Sequence, residues 1–170
     1  MKKKSFFLLL LSITLSCLNC TKDNGSKGLI TISGITERDD SANNAGNIDT
    51  TDWKFNDKWS LTEENLFKIN NSNTVATETA KPNATVVTAG YPNPAKTMIC
   101  LAFQLESNMY YDLRIVDNNL NIKVQFDSVT YSFITINDSQ FAGNELYRAY
   151  YKIYSGNKVY RGHGDFKFIK

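Results

Sequence analysis

With 170 residues the chain has room for one domain and not for a second. Its 42% hydrophobic and 12% aromatic residues suffice for a packed interior, and the weight of Tyr, Phe, Val, Ile and Thr favours strands over helices. The formal charge of +2 includes Lys2, Lys3 and Lys4; without them 16 Lys and Arg face 17 Asp and Glu, a net of −1, which gives no indication of a basic patch able to grip nucleic acid.

Those lysines open a secretory signal. They precede an apolar stretch over 6–18 that is shorter than the roughly 20 residues of a membrane helix and close to the roughly 7 to 15 of a cleavable h-region. Thr14-Leu15-Ser16-Cys17 resembles the bacterial lipobox, in which a small residue precedes a cysteine that takes a diacylglycerol and becomes the new N-terminus. The resemblance implies a signal peptide over 1–16 and lipid on Cys17, with Cys20 as the alternative acceptor. A triacylated cysteine exceeds the two-chain threshold for durable anchoring. The expected location is the outer membrane of the cell envelope, on its periplasmic or its cell-surface side.

Asn, Asp, Gly, Ser and Thr dominate 17–51, and only Leu29-Ile30-Thr31-Ile32 offers a short strand. Such a stretch buries too little apolar surface to offset its ordering entropy, so a lipidated N-terminus followed by a flexible tether is expected there. The remainder, 52–170, reads as a single domain with a helix-containing segment over 52–83 and a sandwich over 84–170. Ser60-Leu61-Thr62-Glu63 has the form of a capping box and predicts a helix over 61–69. That helix is too short to stand alone, which requires Trp59, Leu66 and Phe67 to pack on something larger.

Beyond residue 84 the hydrophobic period becomes two. Strands are predicted at Val86 and Val87, over 97–105, over 111–115 and 122–126 as a hairpin turning at Asp117-Asn118-Asn119, over 131–136, over 146–154 and over 158–168. Tyr91-Pro92-Asn93-Pro94 ends the first of them, because proline removes ladder donors. Seven strands in so short a span match an immunoglobulin-like antiparallel β-sandwich carrying one short N-terminal helix, with Tyr147 as its tyrosine corner.

Gly90-Tyr91-Pro92-Asn93-Pro94-Ala95-Lys96 followed by Tyr111-Asp112-Leu113-Arg114-Ile115-Val116-Asp117 is similar to the opening of the C-terminal sorting domain of the type IX secretion system. The stretches around Trp53 to Phe67 and Leu146 to Asp165 look like small uncharacterised lipoproteins of the phylum that carries that system. The resemblance implies an immunoglobulin-like fold. Thr21-Lys22-Asp23-Asn24 resembles a surface-export signal of that phylum, and Asp40-Ser41-Ala42, Asp49-Thr50-Thr51 and Asp127-Ser128-Val129 resemble its O-glycosylation sequon, which makes Ser41 and Thr50 candidate acceptors.

No catalytic set emerges. His163 is the single histidine, beside Asp165 but without a nucleophile, and the glycines around it suggest an irregular or bulged strand. Cys100 lies in an apolar run and reads as a buried thiol. Zinc lacks ligands, and Asp117-Asn118-Asn119-Leu120-Asn121 lacks the later glycine and glutamate of a calcium loop. Glu63, Glu64, Glu106 and Glu145 fall in a helix and in turns, away from any cleft that would pair two carboxylates. Neither a metal nor a cofactor is expected, nor an enzyme. The rings of Trp53, Phe55, Trp59, Tyr110, Tyr150, Tyr154 and Tyr160 either fill the core or present a face to a protein or glycan partner. The leading expectation is a lipid-anchored binding or structural module whose other partner is the membrane; a sorting or secretion-associated domain is the alternative.

Overall fold

The structure is a computed structural model that describes residues 28–55, 58–68, 76–77 and 86–170, and the side chains of all of these except 76, 77 and 86. The signal peptide, Cys17, Cys20, the segment Thr21-Lys22-Asp23-Asn24 and most of 69–85 lie outside the described residues.

Two sheets face each other. The larger is built from β1 (Lys54–Phe55), β5 (Met109–Val116), β6 (Ile122–Val129), β8 (Leu146–Ser155) and β9 (Lys158–Lys167) in the order β1-β9-β8-β5-β6, and β2 (Ala76–Thr77) adds to β9 in parallel. The smaller is β3 (Val86–Tyr91), β4 (Met98–Gln104) and β7 (Phe133–Asn137) in the order β3-β4-β7. All pairings except that of β2 are antiparallel. The mainly β sandwich read from the sequence is therefore the observed architecture, with β3 to β9 supplying the expected seven strands.

Alternation decides what fills the gap between the sheets. From β4 come Ile99, Leu101 and Phe103, from β7 Ile134 and Ile136, and from the larger sheet Tyr111, Leu113, Ile115, Tyr151, Ile153 and Phe166, all buried. Rings form its centre: Phe103 stacks on Tyr111 at 4.2 Å and meets the edge of Tyr151 at 5.5 Å. Tyr147, at the start of β8, accepts the Ala142 N–H on its hydroxyl oxygen at 2.7 Å, the tie to upstream backbone that a tyrosine corner makes.

The strand β9 is regular, contrary to the bulge expected at Gly162-His163-Gly164. It pairs with β8 without a break from Leu146↔Lys167 to Ser155↔Lys158. The glycines serve a packing purpose. Both face the interior, where a methyl on Gly164 would overlap the Trp53 ring and one on Gly162 would overlap the Lys54 carbonyl and Tyr151. Trp53 enters this space from a left-handed turn, φ 55°, a strained conformation for a bulky residue, and lies stacked on Tyr151 at 6.5 Å.

The stretch 28–51, expected as part of a flexible tether, instead lies along the sandwich. Arg38 and Asn93 exchange backbone hydrogen bonds at 2.8 and 2.9 Å, Ile30 N–H reaches the Asn118 carbonyl at 3.0 Å, and Ile35 and Thr36 are buried. Its polar side chains bond its own backbone, and Asp52 and Asn93 satisfy the backbone N–H and carbonyl of Thr36, so the segment is held with little apolar burial. Leu29-Ile30-Thr31-Ile32 forms no strand.

The capping box is present: the Ser60 hydroxyl accepts the Glu63 N–H at 3.3 Å, and the Glu63 carboxylate accepts the Ser60 N–H at 2.6 Å. The helix it starts, α1 (Leu61–Glu64), gives way to a 3₁₀ turn over Asn65–Phe67, shorter than the sequence pattern suggested. Trp53→Ala should lower stability by about 3–5 kcal/mol through the cavity it leaves. Gly164→Ala should destabilise through overlap with the same ring. Denaturant unfolding of both variants checks this; curves matching the parent would mean that Trp53 does not fill the space beside β9.

Candidate functional site

Of the aromatic residues marked as a prospective binding face, most are occupied by packing. The outer side of the larger sheet presents Arg114 from β5, Tyr150 and Lys152 from β8 and Arg161 from β9, and the α1 segment lies across them. Trp59 stacks on Phe67 at 5.4 Å and meets the edge of Tyr150 at 5.2 Å. Cations close the sides of these rings: the Arg114 guanidinium is 4.9 Å from the Phe67 centroid, Lys152 Nζ 5.0 Å from Phe67, and Arg161 5.7 Å from Trp59.

Carboxylates fix the cover in place. Glu63 accepts the Tyr150 hydroxyl at 2.5 Å, and Glu64 pairs with Lys152 at 2.9 Å and with Arg161. Burial lowers the pKa of the Lys152 ammonium and raises that of the Tyr150 phenol, whose hydrogen bond to Glu63 raises it further. Arg114 is almost wholly buried and donates to the carbonyls of Leu66, Leu113 and Phe126 and to Asp127. Glu63 and Glu64 are thus structural partners of the helix and do not form a carboxylate pair in a cleft.

A second polar group lies where the N-terminal strap meets β9. Asp52 accepts the backbone N–H of Asp165 at 2.5 Å on one oxygen and that of Thr36 at 3.1 Å on the other. Asp165 receives two bonds from Arg148, each 2.7 Å. Asn93, fully buried, donates to the carbonyls of Thr36 and Asp165 and accepts the Lys167 N–H. Asp165 is thus bound by Arg148, and the His163 ring lies 6.0 Å from that of Tyr150.

The Asp117 turn uses its own oxygens. Its carboxylate accepts Asn119 N–H, Asn121 N–H and the Asn121 amide and pairs with Lys123 at 3.0 Å. Among the described residues no group of three or more His, Cys, Asp or Glu could hold a metal ion, and no helix is long and apolar enough to cross a membrane. Ser41 and Thr50 sit on exposed turns.

Among the described residues no element covers the outer side of the smaller sheet. Alternation turns Met98, Cys100, Ala102 and Gln104 of β4 and Phe133, Thr135 and Asn137 of β7 outward. Phe133 is 60% exposed, Met98 53%, and Tyr131, just before β7, 55%, the most exposed large rings and thioether described. Beside them runs a shallow groove of about 410 Å³ whose walls include Thr88, Tyr91, Ala102, Gln104, Ser132 and Phe133. Cys100 is half-buried on this side, not enclosed as the sequence suggested, and hydrogen-bonds the Tyr91 phenol, whose pKa it raises. Sequence reading missed this face. The signal was present in Phe133-Ile134-Thr135-Ile136-Asn137, whose alternation separates an inward pair of isoleucines from an outward phenylalanine.

No protein-family model, curated protein or solved structure matches the chain.

One consequence of the strap is a pH dependence. Burial, reinforced by the charge of Asp165, pushes the Asp52 carboxyl from 3.8 up to about 7. A carboxyl whose folded value is raised contributes stability below its unfolded value and loses it as pH rises through the folded one. Asp117 and Asp127, held low by hydrogen bonds and a cation despite some burial, act in the other direction and lose their contribution in acid. The melting temperature should therefore fall by several degrees between about pH 5 and pH 8, and Asp52→Asn should flatten that fall. A melting temperature that rises over the same window, equally in both proteins, would contradict this.

Proposed function

We propose that the chain is a lipid-anchored envelope protein whose immunoglobulin-like sandwich is a binding module, with the outer side of the smaller sheet as its contact surface. The observation that carries this reading is the contrast between the two outer faces. The Tyr150 ring of the larger sheet is covered by Trp59, Leu66 and Phe67, whose carboxylate neighbours make ion pairs with the sheet, whereas Phe133, Met98 and Tyr131 are more than half exposed and Phe133 lines a groove. Large exposed apolar side chains grouped on one face are the usual mark of a protein contact.

The strand order supports the immunoglobulin-like assignment. Taking β3 to β9 as A, B, C, C′, E, F and G gives A-B-E opposite G-F-C-C′, and the hydroxyl of Tyr147 occupies the tyrosine-corner position. Asn93 of the Tyr91-Pro92-Asn93-Pro94 motif joins the strap to β9, so we assign the motif a structural role. Lipid on Cys17, or alternatively Cys20, and glycans on Ser41 and Thr50 complete the proposed mature protein.

Two experiments test the reading. A clickable fatty acid should label the parent and Cys20→Ala and leave Cys17→Ala unlabelled; the reverse pattern moves the anchor to Cys20. A photo-crosslinking residue placed at 133 or 98 in intact cells should give protein adducts, and one at the exposed Gln125 of the larger sheet should not. Adducts from position 125 with none from 133 or 98 would assign the contact to the other face.

A further inference from the structure

We infer that the bare edge of β7 takes β7 of a second copy of this chain, joining two smaller sheets into one antiparallel sheet of six strands. This rests on the binding-module reading and deepens it, since it names a partner for the edge of the same sheet.

An unpaired edge is a template for another strand, and folded proteins blunt theirs with charge, proline, register breaks or shortness. The other edges here carry such devices. The strand β6 has two register shifts against β5 and holds Lys123 and Asp127; β3 is shifted between Thr88 and Tyr91 and runs into Pro92 and Pro94; β1 and β2 have two residues each. None of these devices is found in β7. Its five residues contain no charge, proline or glycine, and it pairs with β4 in unbroken register from Met98↔Asn137 to Ala102↔Phe133. Among the described residues no strand lies on its far side. In the four-stranded face of an immunoglobulin constant domain a strand D stands beside E. In this chain β6 passes to β7 through residues 130–132 alone, and among the described residues no strand takes that place.

The chemistry of β7 fits its own copy. A two-fold axis at Thr135 sets Thr135 against Thr135, Ile134 against Ile136 and Phe133 against Asn137. Both isoleucine pairs stay on the core side, and Phe133 of one copy comes one strand away from Met98 of the other. No like charges meet. The nearest carboxylate, Asp138, faces Ser132 across the axis and has Lys170 Nζ at 3.7 Å in its own chain. A five-residue strand is about 17 Å long at roughly 3.4 Å per residue. One such edge with its flanking rings buries less than the roughly 1,200–2,000 Å² of a stable interface. The pairing is therefore weak in dilute solution and depends on the local concentration that anchoring to a membrane provides.

Disulfide trapping of the full chain in its membrane tests the register. Because Cys100 is the β4 partner of Thr135, the parent carries Cys100→Ser, and its own dimer band on a non-reducing gel sets the baseline left by the remaining cysteines. Thr135→Cys should give a dimer band several-fold above that baseline, and Asn137→Cys should stay at it, because the two-fold brings only residue 135 against itself. Thermal melts of both variants establish that each is folded. Detergent dilution before oxidation should remove the Thr135→Cys band. Equal bands from the two cysteines, or none from folded Thr135→Cys, would overturn the pairing. If the band is absent while crosslinks from position 133 to another protein persist, self-pairing falls and the binding face stands. A Thr135→Cys dimer with no other adduct from 133 supports self-pairing as the use of the face.

Discussion

The fold depends on how its last strand is held at both ends of the sequence. Strand β9 pairs with β8 along its full length, and its other side is closed by β1 and Asp52 from the segment that precedes the sandwich and by the side chain of Asn93 from the turn after β3. Those contacts span 113 and 72 residues of sequence, so the strap and the last strand order each other. Gly164 makes room for Trp53, and Trp53 in turn stacks on the Tyr151 ring that meets Phe103 of the opposite sheet. The polar tie thus positions an aromatic wedge, and the wedge adds to the join between sheets.

That arrangement determines which side of the molecule is available. Once the strap has crossed to the outer side of the larger sheet, α1 covers the rings and cations there, and Glu63 and Glu64 neutralise what the cover buries. The smaller sheet receives no such cover from the described residues. Its three strands leave one flat edge and an outward row of Met98, Phe133 and neighbouring Tyr131, and the cost of keeping these in water is the physical reason to look for a partner on that side.

Much of this was legible in the sequence. Alternation around Leu113 and Phe126 marked a hairpin, Ser60 and Glu63 marked a helix start, and Tyr147 marked the corner of a sandwich. The strap was not legible, because Thr36, Asp52 and Asn93 look like loop residues until their partners 57 and 16 positions apart come together. The glycines beside His163 suggested a bulge, and only the structure shows that they make room for Trp53. Alternation likewise separates the two sides of β7 without telling which side another element covers. The aromatic residues of 53–67 stand out for their size, although Phe133 and Tyr131 are the rings left most exposed.

Amide hydrogen exchange on the full chain, compared between its membrane and dilute detergent, tests this account most directly. The amides of Thr36, Arg38 and Asp165 should exchange only on global unfolding in both conditions, while those of β7 should be protected in the membrane and exchange faster after extraction. Rapid exchange at Thr36 and Arg38, or β7 amides that behave alike in the two conditions, would contradict it.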